Sequence, residues 1–226
     1  MHSVPAAATP GGADLARIFA LVPVRHLERA KSRLGDALDA EERAVLARRF
    51  LDATLAALVA VRDAGRIRGI VVASGDPAAL AVAVGAGVVP LPVPGRDLVE
   101  DLAVARERAR GAGATAVLVV PIDLAGIGPA PVVAILDRAA TAAVDARTAG
   151  RGLVLLVPDQ RGDGTNLLLL APPTVIAFAY GPGSRGRHLA AAAAAGALTV
   201  EASGPLSFDI DTPEDLIAAT AGTRGA

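Results

Sequence analysis

The sequence contains no cysteine, and only 2% of its residues are aromatic. Without cysteine, the chain of 226 residues has no disulfide, no thiolate metal site and no cysteine nucleophile. Apolar residues still make up 53% of the sequence, and alanine, leucine and valine are the most abundant of them. We therefore expect a sizeable core that is built from many small contacts between helices and a sheet, not from packed rings.

The sequence also lacks an excess of either charge and any long apolar run. A net charge of −1 argues against nucleic-acid binding driven by bulk electrostatics. The alanine-rich run at 189–195 is too short and too close to charged residues to span a membrane. Residues 1–15 lack the basic and apolar regions of a signal peptide, so we interpret them as a disordered leader before a single domain at 16–221. These features predict a cytoplasmic protein without nucleic-acid or membrane partners, and they leave the oligomeric state open.

Short apolar runs alternate with helical patterns along the chain. This alternation predicts an α/β fold with a mostly parallel sheet that helices cover on both faces. Asp39 and Glu42 form a predicted capping box at the start of the first helix. The predicted strands are 18–24, 70–74, 117–121 and 153–157, and the predicted helices are 39–61, 77–84, 98–109 and 131–141. Ligands bind such sheets at the carboxyl ends of the strands, so polar residues at those ends are candidates for a site.

Three aspartates are candidate metal ligands. Asp209 and Asp211 stand two residues apart in a short apolar run, so both carboxylates point to one face if that run is extended. Thr212 and Pro213 then predict a helix start. Asp123 follows the strand that ends near residue 121. Carboxylates in this arrangement suit a hard cation such as Mg²⁺. A solvated acidic turn for the pair, and a helix cap for Asp123, are the alternatives.

A basic loop follows the first predicted strand. It carries four cations within nine residues, among them Arg25, Lys31 and Arg33. Lys and Arg neutralise phosphate charge, and Arg can bind two oxygens at once, so the loop suits a polyphosphate. The loop contains no P-loop motif and no G-x-G-x-x-G motif. The sequence therefore does not favour a P-loop ATPase or a dinucleotide-dependent dehydrogenase. The alternative is a solvated basic surface loop.

Two glycine-rich segments, 162–166 and 180–188, are candidate binding loops. Their glycines let backbone amides approach a ligand, and their hydroxyls can donate to it. Ser184 is predicted to open a helix, which would place an anion at a helix N-terminus. The candidate substrate contacts are Thr165, Asn166, Gly181, Ser184, Arg185 and His188; the cations among them, together with Arg187, favour an anionic ligand. Ordinary loop structure is the alternative.

These motifs occur in an order that resembles the guanylyltransferases of coenzyme F420 biosynthesis, which act on 2-phospho-L-lactate or phosphoenolpyruvate. The resemblance covers about residues 17–220. It is carried by Val22-Pro-Val-Arg-His-Leu, Ala30-Lys-Ser-Arg-Leu, Pro121-Ile-Asp-Leu, Gly164-Thr-Asn, Gly181-Pro-Gly-Ser with His188, and Asp209-Ile-Asp-Thr-Pro-Glu-Asp-Leu. It implies a glycosyltransferase-A-like (Rossmann-like) nucleotidyltransferase fold.

The resemblance also implies roles for individual residues. Asp123, Asp209 and Asp211 correspond to Mg²⁺ ligands. Lys31 and Arg33 correspond to triphosphate contacts. The positions that hold the phospho-acid correspond to Thr165, Gly181 and Ser184. Ser74 and Asp76, which close the second strand, and Asp97 are expected on the nucleotide side, where Asp97 could accept hydrogen bonds from guanine. The chain departs from the family in having Arg25 where Lys is usual, and Gly95-Arg-Asp-Leu-Val where Gly-Leu-Asn-x-Ala is usual.

The implied reaction transfers GMP from GTP to the phosphate of the small acid and releases pyrophosphate. An anionic phosphate attacks without a protein nucleophile, so metal ions and Lys or Arg side chains suffice. The alanine-, arginine- and glycine-rich composition suggests a GC-rich bacterial genome, which by analogy favours phosphoenolpyruvate. A molybdenum-cofactor or sugar-phosphate-type nucleotidyltransferase, and an inactive nucleotide-binding module on the same fold, are the alternatives.

Overall fold

A computed structural model describes residues 12–24 and 38–222. The predicted contacts of Arg25, Lys31 and Arg33 lie outside these residues. The strands are β1 Ile18–Val24, β2 Gly69–Ser74, β3 Val89–Pro92, β4 Ala116–Val119, β5 Leu153–Pro158, β6 Thr165–Ala171 and β7 Leu198–Glu201. The helices are α1 Ala40–Asp63, α2 Pro77–Gly85, α3 Leu98–Gly111, α4 Pro129–Thr148, α5 Ser184–Ala194 and α6 Pro213–Gly222, with a 3₁₀ turn at Pro205–Ser207.

The helix boundaries follow the local sequence signals. The Asp39 side chain accepts a hydrogen bond from the Glu42 amide, and the Glu42 carboxylate accepts one from the Asp39 amide, which confirms the capping box of α1. Helix α4 is longer than predicted, because Pro129 occupies its first position and small residues continue its buried face through Ala143 and Ala146.

The sheet has seven strands in the order β3-β2-β1-β4-β6-β5-β7. β1 pairs in parallel with β2 and with β4, β2 with β3, and β5 with β7, while β6 is antiparallel to both of its neighbours. The mostly parallel sheet is therefore confirmed. The chain moves from β1 to β2 on one side and later places β4 on the other side. Parallel α/β sheets open a crevice at such a switch point, at the carboxyl ends of the strands.

Helices cover both faces of the sheet, as the sequence predicted. Along β5, Leu153 and Leu155 point into a core with α1, α2 and α4, whereas Val154 and Leu156 point into a second core with α3 and α5. None of the described residues buried in the first core is aromatic. The expectation of a core built from small aliphatic contacts is met on this face.

The described chain begins inside the segment that was predicted to be a leader. Ala13 is fully buried, and its amide donates to the Arg151 carbonyl at 3.0 Å. Leu15 packs against the first core. Residues 12–15 thus belong to the domain, because the apolar side chains of Ala13 and Leu15 pack against its first core. No helix within the described residues is long and apolar enough to cross a membrane.

Candidate active site

Two backbone segments bring the three aspartates together. The Ile210 amide donates to the Asp123 carbonyl at 2.9 Å, and the Ala125 amide donates to the Phe208 carbonyl at 3.0 Å. These bonds belong to an antiparallel bridge that pairs Leu124 with Asp209. Asp123, which follows β4, therefore lies beside the segment that carries Asp209 and Asp211.

The negative charges of Asp123 and Asp211 repel that of Asp209. Burial, and then the charges of Asp211 and Asp123, raise the pKa of Asp209 above its ordinary value. A hydrogen bond of 3.4 Å from the Asn166 amide acts in the opposite direction. Carboxylate oxygens are suitable ligands for a hard divalent cation, and a cation would relieve this repulsion. As placed, no three acidic or histidine side chains of the described residues surround a metal position.

The start of α6 fixes the backbone beside Asp211. The Asp215 carboxylate accepts from the Asp211 amide at 3.0 Å and from the Thr212 amide at 2.8 Å, and the Asp215 amide donates to the Thr212 hydroxyl at 3.3 Å. Gln160 donates to Asp215 at 3.0 Å and to the Asp209 carbonyl at 3.4 Å. Burial works against ionisation, but these hydrogen bonds outweigh it and lower the pKa of Asp215. The sequence predicted the cap at Thr212 and missed Asp215, although the Thr-x-x-Asp spacing is a recognisable signal.

Thr165 and Asn166 reach the same region from β6. The sequence assigned both to a glycine loop, whereas the structure makes them the first residues of a strand. Because β6 runs antiparallel to β4, its start lies at the edge where β4 ends. Asn166 donates to the Leu206 carbonyl at 3.0 Å as well as to Asp209, so its amide orients an aspartate.

His188 lies behind Thr165 and is fully buried. Its Nδ1 is 3.0 Å from the Thr165 hydroxyl, and its Nε2 accepts from the Ala179 amide at 2.9 Å. Burial, with a smaller effect of the Arg187 charge, lowers the pKa of His188 to about 4. The sequence predicted a cation that attracts an anionic ligand; the structure corrects this to a neutral ring that contacts a hydroxyl.

The loop before α5 is held by its own polar groups. Gly181 and Gly183 adopt positive φ angles of 110° and 68°. Arg187 donates to the carbonyls of Ala179 (at 2.9 and 3.1 Å), Tyr180 (at 3.1 Å) and Pro182. Arg187 thus holds the loop through backbone oxygens. These hydrogen bonds give its guanidinium a structural role that does not depend on a ligand.

The N-terminus of α5 begins at Ser184, as predicted, but several of its amides are already bonded. The Gly183 amide donates to the Asp163 carboxylate at 2.9 Å, the Ser184 amide to the Gly181 carbonyl at 3.0 Å and the Arg185 amide to the Asp163 carbonyl at 3.1 Å. An anion there would have to displace the bond from Gly183 to the Asp163 carboxylate. The Arg185 guanidinium pairs with Glu201 at 2.6 Å, so its charge is directed to a strand residue.

The three predicted nucleotide contacts have structural roles of their own. Ser74 is buried and donates to the Val24 carbonyl at 2.8 Å. Asp76 caps α2 through the Ala78 amide at 2.8 Å. Asp97 caps α3, accepting with one oxygen from the amides of Val99 and Glu100 at 2.8 and 2.9 Å. One oxygen of Asp97 is therefore occupied, because an aspartate just before a helix is a favoured N-cap.

These elements enclose a cavity of about 180 Å³ at the carboxyl ends of β1 and β4. It is lined by Pro23, Leu98, Leu102, Val119, Pro121, Asp123, Thr165, Asn166, Tyr180, Asp209 and Asp211. The Tyr180 hydroxyl is buried and has no hydrogen-bond partner among the described residues. The sequence gave no role to Tyr180, although it is the first residue of the predicted binding segment 180–188. A larger cavity of about 630 Å³ between α1 and α2 contains none of the predicted site residues.

Comparison with known proteins agrees with this geometry. The sequence model of the family described as "Guanylyl transferase CofC like" matches residues 18–221. The chain belongs to this family. The phosphoenolpyruvate guanylyltransferase of Rubrobacter xylanophilus is 42% identical over 201 residues, which cover 88% of this chain and 91% of that protein. The chain is thus a CofC-like guanylyltransferase, a nucleotidyltransferase.

Solved structures show the same fold for this CofC-like chain. A protein assigned as a nucleotide-diphospho-sugar transferase from Desulfovibrio desulfuricans G20 has a TM-score of 0.70 at 17% identity, covering 92% of this chain and 88% of that one. Glucosyl-3-phosphoglycerate synthase from Mycobacterium tuberculosis, in complex with Mn²⁺ and uridine diphosphate, has a TM-score of 0.57 at 14% identity, covering 91% and 76%. The predicted nucleotidyltransferase fold is confirmed.

Proposed function

We propose that this protein transfers GMP from GTP to the phosphate of phosphoenolpyruvate and releases pyrophosphate, in coenzyme F420 biosynthesis. The observation that carries the proposal is the convergence of three aspartates and the Thr165 hydroxyl on one cavity at the switch point of the sheet. Family membership and the activity named for the Rubrobacter xylanophilus relative support it. 2-Phospho-L-lactate is the second candidate acceptor.

The reaction requires placement and charge neutralisation more than acid–base chemistry. A phosphate oxygen of the acid attacks the α-phosphorus of GTP. A new P–O bond forms while the bond from the α-phosphorus to the bridging oxygen breaks, and pyrophosphate leaves with that oxygen. Because the attacking oxygen is already anionic, no protein group has to remove a proton.

The two substrates occupy opposite sides of the cavity in this proposal. Thr165 donates its hydroxyl proton to the small acid, Ser184 supports Thr165 from behind by donating to it, and Gly181 gives the acid room beside the backbone. The loop after β1, with Arg25, Lys31 and Arg33, binds the triphosphate. Ser74 and the helix caps Asp76 and Asp97 shape the wall beside the nucleotide, and the Asp97 oxygen not used for capping is available to guanine.

Asp123, Asp209 and Asp211 would hold a divalent cation, for which we propose Mg²⁺. The donor set is suitable, and the repulsion at Asp209 is of the kind that a bound cation removes. The Mn²⁺ in the Mycobacterium tuberculosis neighbour supports a divalent ion on this fold. When bound, such an ion neutralises charge on the phosphates during transfer.

A pyrophosphate-release assay tests the function directly. Purified protein would receive GTP and Mg²⁺ with phosphoenolpyruvate, 2-phospho-L-lactate or phosphoglycerate, and mass spectrometry would identify the product. With phosphoenolpyruvate we expect pyrophosphate release and a guanylylated acid as the product. The Asp211→Asn variant should show neither. Parallel reactions with ATP and CTP test the base preference.

Other outcomes would favour the alternatives. Release only with CTP and a sugar phosphate would identify a sugar-phosphate-type enzyme and reject the proposal. GTP binding without release with any acid would identify an inactive nucleotide-binding module.

A further inference from the structure

The hydrogen bonds around His188 determine which of its ring nitrogens carries the proton. The Ala179 amide can only donate, so Nε2, at 2.9 Å, accepts and carries no proton. The ring is fully buried, and burial holds the pKa of His188 at about 4, so it is neutral near pH 7. Its single proton therefore lies on Nδ1, which points to the Thr165 hydroxyl at 3.0 Å.

The same counting applies to the hydroxyls of Thr165 and Ser184. These oxygens are 3.3 Å apart, and Ser184 donates to Thr165. Thr165 then accepts from His188 and from Ser184, which fills both of its lone pairs. Its own proton has no acceptor within this buried triad. If the bond between the hydroxyls ran the other way, the remaining proton would be on Ser184; because Ser184 donates, that proton is on Thr165.

The remaining proton is next to the cavity. Thr165 lines the cavity, whereas Ser184 and His188 lie behind it, 2% and 0% exposed. A hydroxyl that must donate, and cannot accept, favours an oxygen without a proton, such as a carboxylate or phosphate oxygen. It does not favour a hydroxyl or an amide hydrogen.

We propose that His188 is a positioning residue for the acid substrate: by donating its Nδ1 proton to Thr165, it commits the Thr165 hydroxyl to donate to an anionic oxygen in the cavity. This inference deepens the proposed function and rests on it. His188 touches no substrate itself and acts through Thr165. Its role is to keep the hydroxyl from turning its lone pairs towards the anion, which would repel it.

The tautomer can be measured without any substrate. The chain has three histidines, so ¹⁵N NMR of the imidazoles, with His2→Gln and His26→Gln to assign the signals, isolates the ring of His188. We expect the neutral ring with the proton on Nδ1 at pH 7. A proton on Nε2, or a charged ring, would overturn the proposal whether or not the protein is a phosphoenolpyruvate guanylyltransferase.

Two substitutions separate the two nitrogens. An Asn side chain places its amide nitrogen near the position of Nδ1, whereas a Gln side chain reaches the position of Nε2. We expect His188→Asn to retain the Michaelis constant for the acid within about threefold. His188→Gln should raise it about tenfold, as expected for the loss of one hydrogen bond to a charged group, with the constant for GTP unchanged. Equal constants for the acid in the two variants would contradict the proposal.

A double-mutant cycle shows whether His188 acts through Thr165. Thr165→Val should raise the Michaelis constant for the acid about tenfold or more in the wild-type background, and by less than threefold in the His188→Gln background. Independent, multiplying effects would overturn the proposal. If the wild type were inactive with every acid, the proposed function would fail, while the NMR result would still decide the tautomer.

Discussion

At the scale of single residues, the site brings together carboxylates that repel one another. Asp209 carries the least favourable charge, since it is half-buried and faces two other carboxylates. The neutral amide of an asparagine would remove that repulsion and could still accept the hydrogen bond from Asn166.

Asp209→Asn should therefore separate stability from activity. We expect the substituted protein to unfold at a higher temperature than the wild type at pH 7 in the presence of a chelator, because a repelled charge is gone. Added Mg²⁺ should stabilise the wild type and have little effect on the variant, while turnover falls by orders of magnitude. Calorimetry with and without chelator, together with the release assay, measures both. A variant less stable than the wild type without metal would contradict this account of the charges.

His188 should make stability depend on pH in a defined window. The folded-state pKa of about 4 lies below the ordinary value of 6.5, so the unfolded chain binds a proton between these values and the folded chain does not. Stability is then complete above pH 6.5 and falls as pH decreases towards 4, by about 3 kcal/mol over the whole window. Burial, in contact with the uncharged ring of Tyr180, is the main cause of this lowered pKa, and the charge of Arg187 acts in the same direction.

Urea unfolding of the wild type and of His188→Gln at several pH values between 7 and 4 isolates this contribution, since the carboxylates titrate in both proteins. The difference in unfolding free energy between the two should shrink as pH falls. A difference that is independent of pH would show that folding does not lower the pKa of His188.

Residue identities alone predicted the acidic groups but not the state of the histidine. The Asp-x-Asp-Thr-Pro pattern is local, so its helix start could be read directly from the sequence. The role of His188 depends on Thr165, 23 positions away, and that of Arg185 on Glu201, 16 positions away. Such contacts depend on how elements pack, and one sequence does not specify them.

At the scale of elements, a helix start holds the segment of Asp209 and Asp211 in place. The Asp215 carboxylate bonds two successive amides, those of Asp211 and Thr212, so it caps α6 and also fixes the backbone at a predicted ligand. This cap therefore affects both the stability of the helix and the geometry of the site.

Asp215→Ala should cost about 1–2 kcal/mol of stability, the usual effect of losing a helix cap. It should also lower turnover at least tenfold, because the Asp211 backbone loses its anchor. Ala140→Gly, at an exposed position of α4, is a matched control that costs about 1 kcal/mol of helix stability. If both variants lost turnover equally at a temperature where both are folded, the effect would be general destabilisation.

The edges of the sheet and its reversed strand were the elements that sequence patterns missed. β3 includes Pro90 and Pro92, which argue against a strand unless it lies at an edge, where the structure places it. β7 is a four-residue strand at the other edge. β6 begins with polar Thr165 and Asn166 directly after a glycine, so these two residues were predicted to lie in a loop. The direction of the strand is not encoded in its apolar sequence.

At the scale of the whole molecule, the switch point between β1 and β4 is where the substrates should meet. The order of strands and helices made this fold class predictable, and the position of Asp123 after β4 made the edge predictable. A substrate bound at this edge would contact the ends of the central strands and would bind only the folded protein. Bound substrate should therefore stabilise the entire domain.

GTP with Mg²⁺ should raise the unfolding temperature of the protein in a metal-dependent way. A ligand present at one hundred times its dissociation constant adds about 2.7 kcal/mol to the free energy of unfolding. We expect a chelator to remove most of this gain, and Asp211→Asn to show little of it. Thermal-shift measurements over a range of GTP concentrations provide the test. An undiminished gain with chelator would place the nucleotide away from the aspartates.

The reversed strand divides the cavity between separate stretches of the chain. The hairpin of β5 and β6 and the loop before α5 reach the cavity as one continuous stretch, residues 153–184. Asp163 within this stretch and Arg187 just after it form hydrogen bonds with its backbone. The β1, β2 and β3 side reaches it from an earlier part of the chain. If the acid and the nucleotide bind as proposed, a different acid would be accommodated by exchanging one stretch of about thirty residues, with the parallel strands on the β1, β2 and β3 side left as they are. The preferences for the two substrates would then change independently of each other.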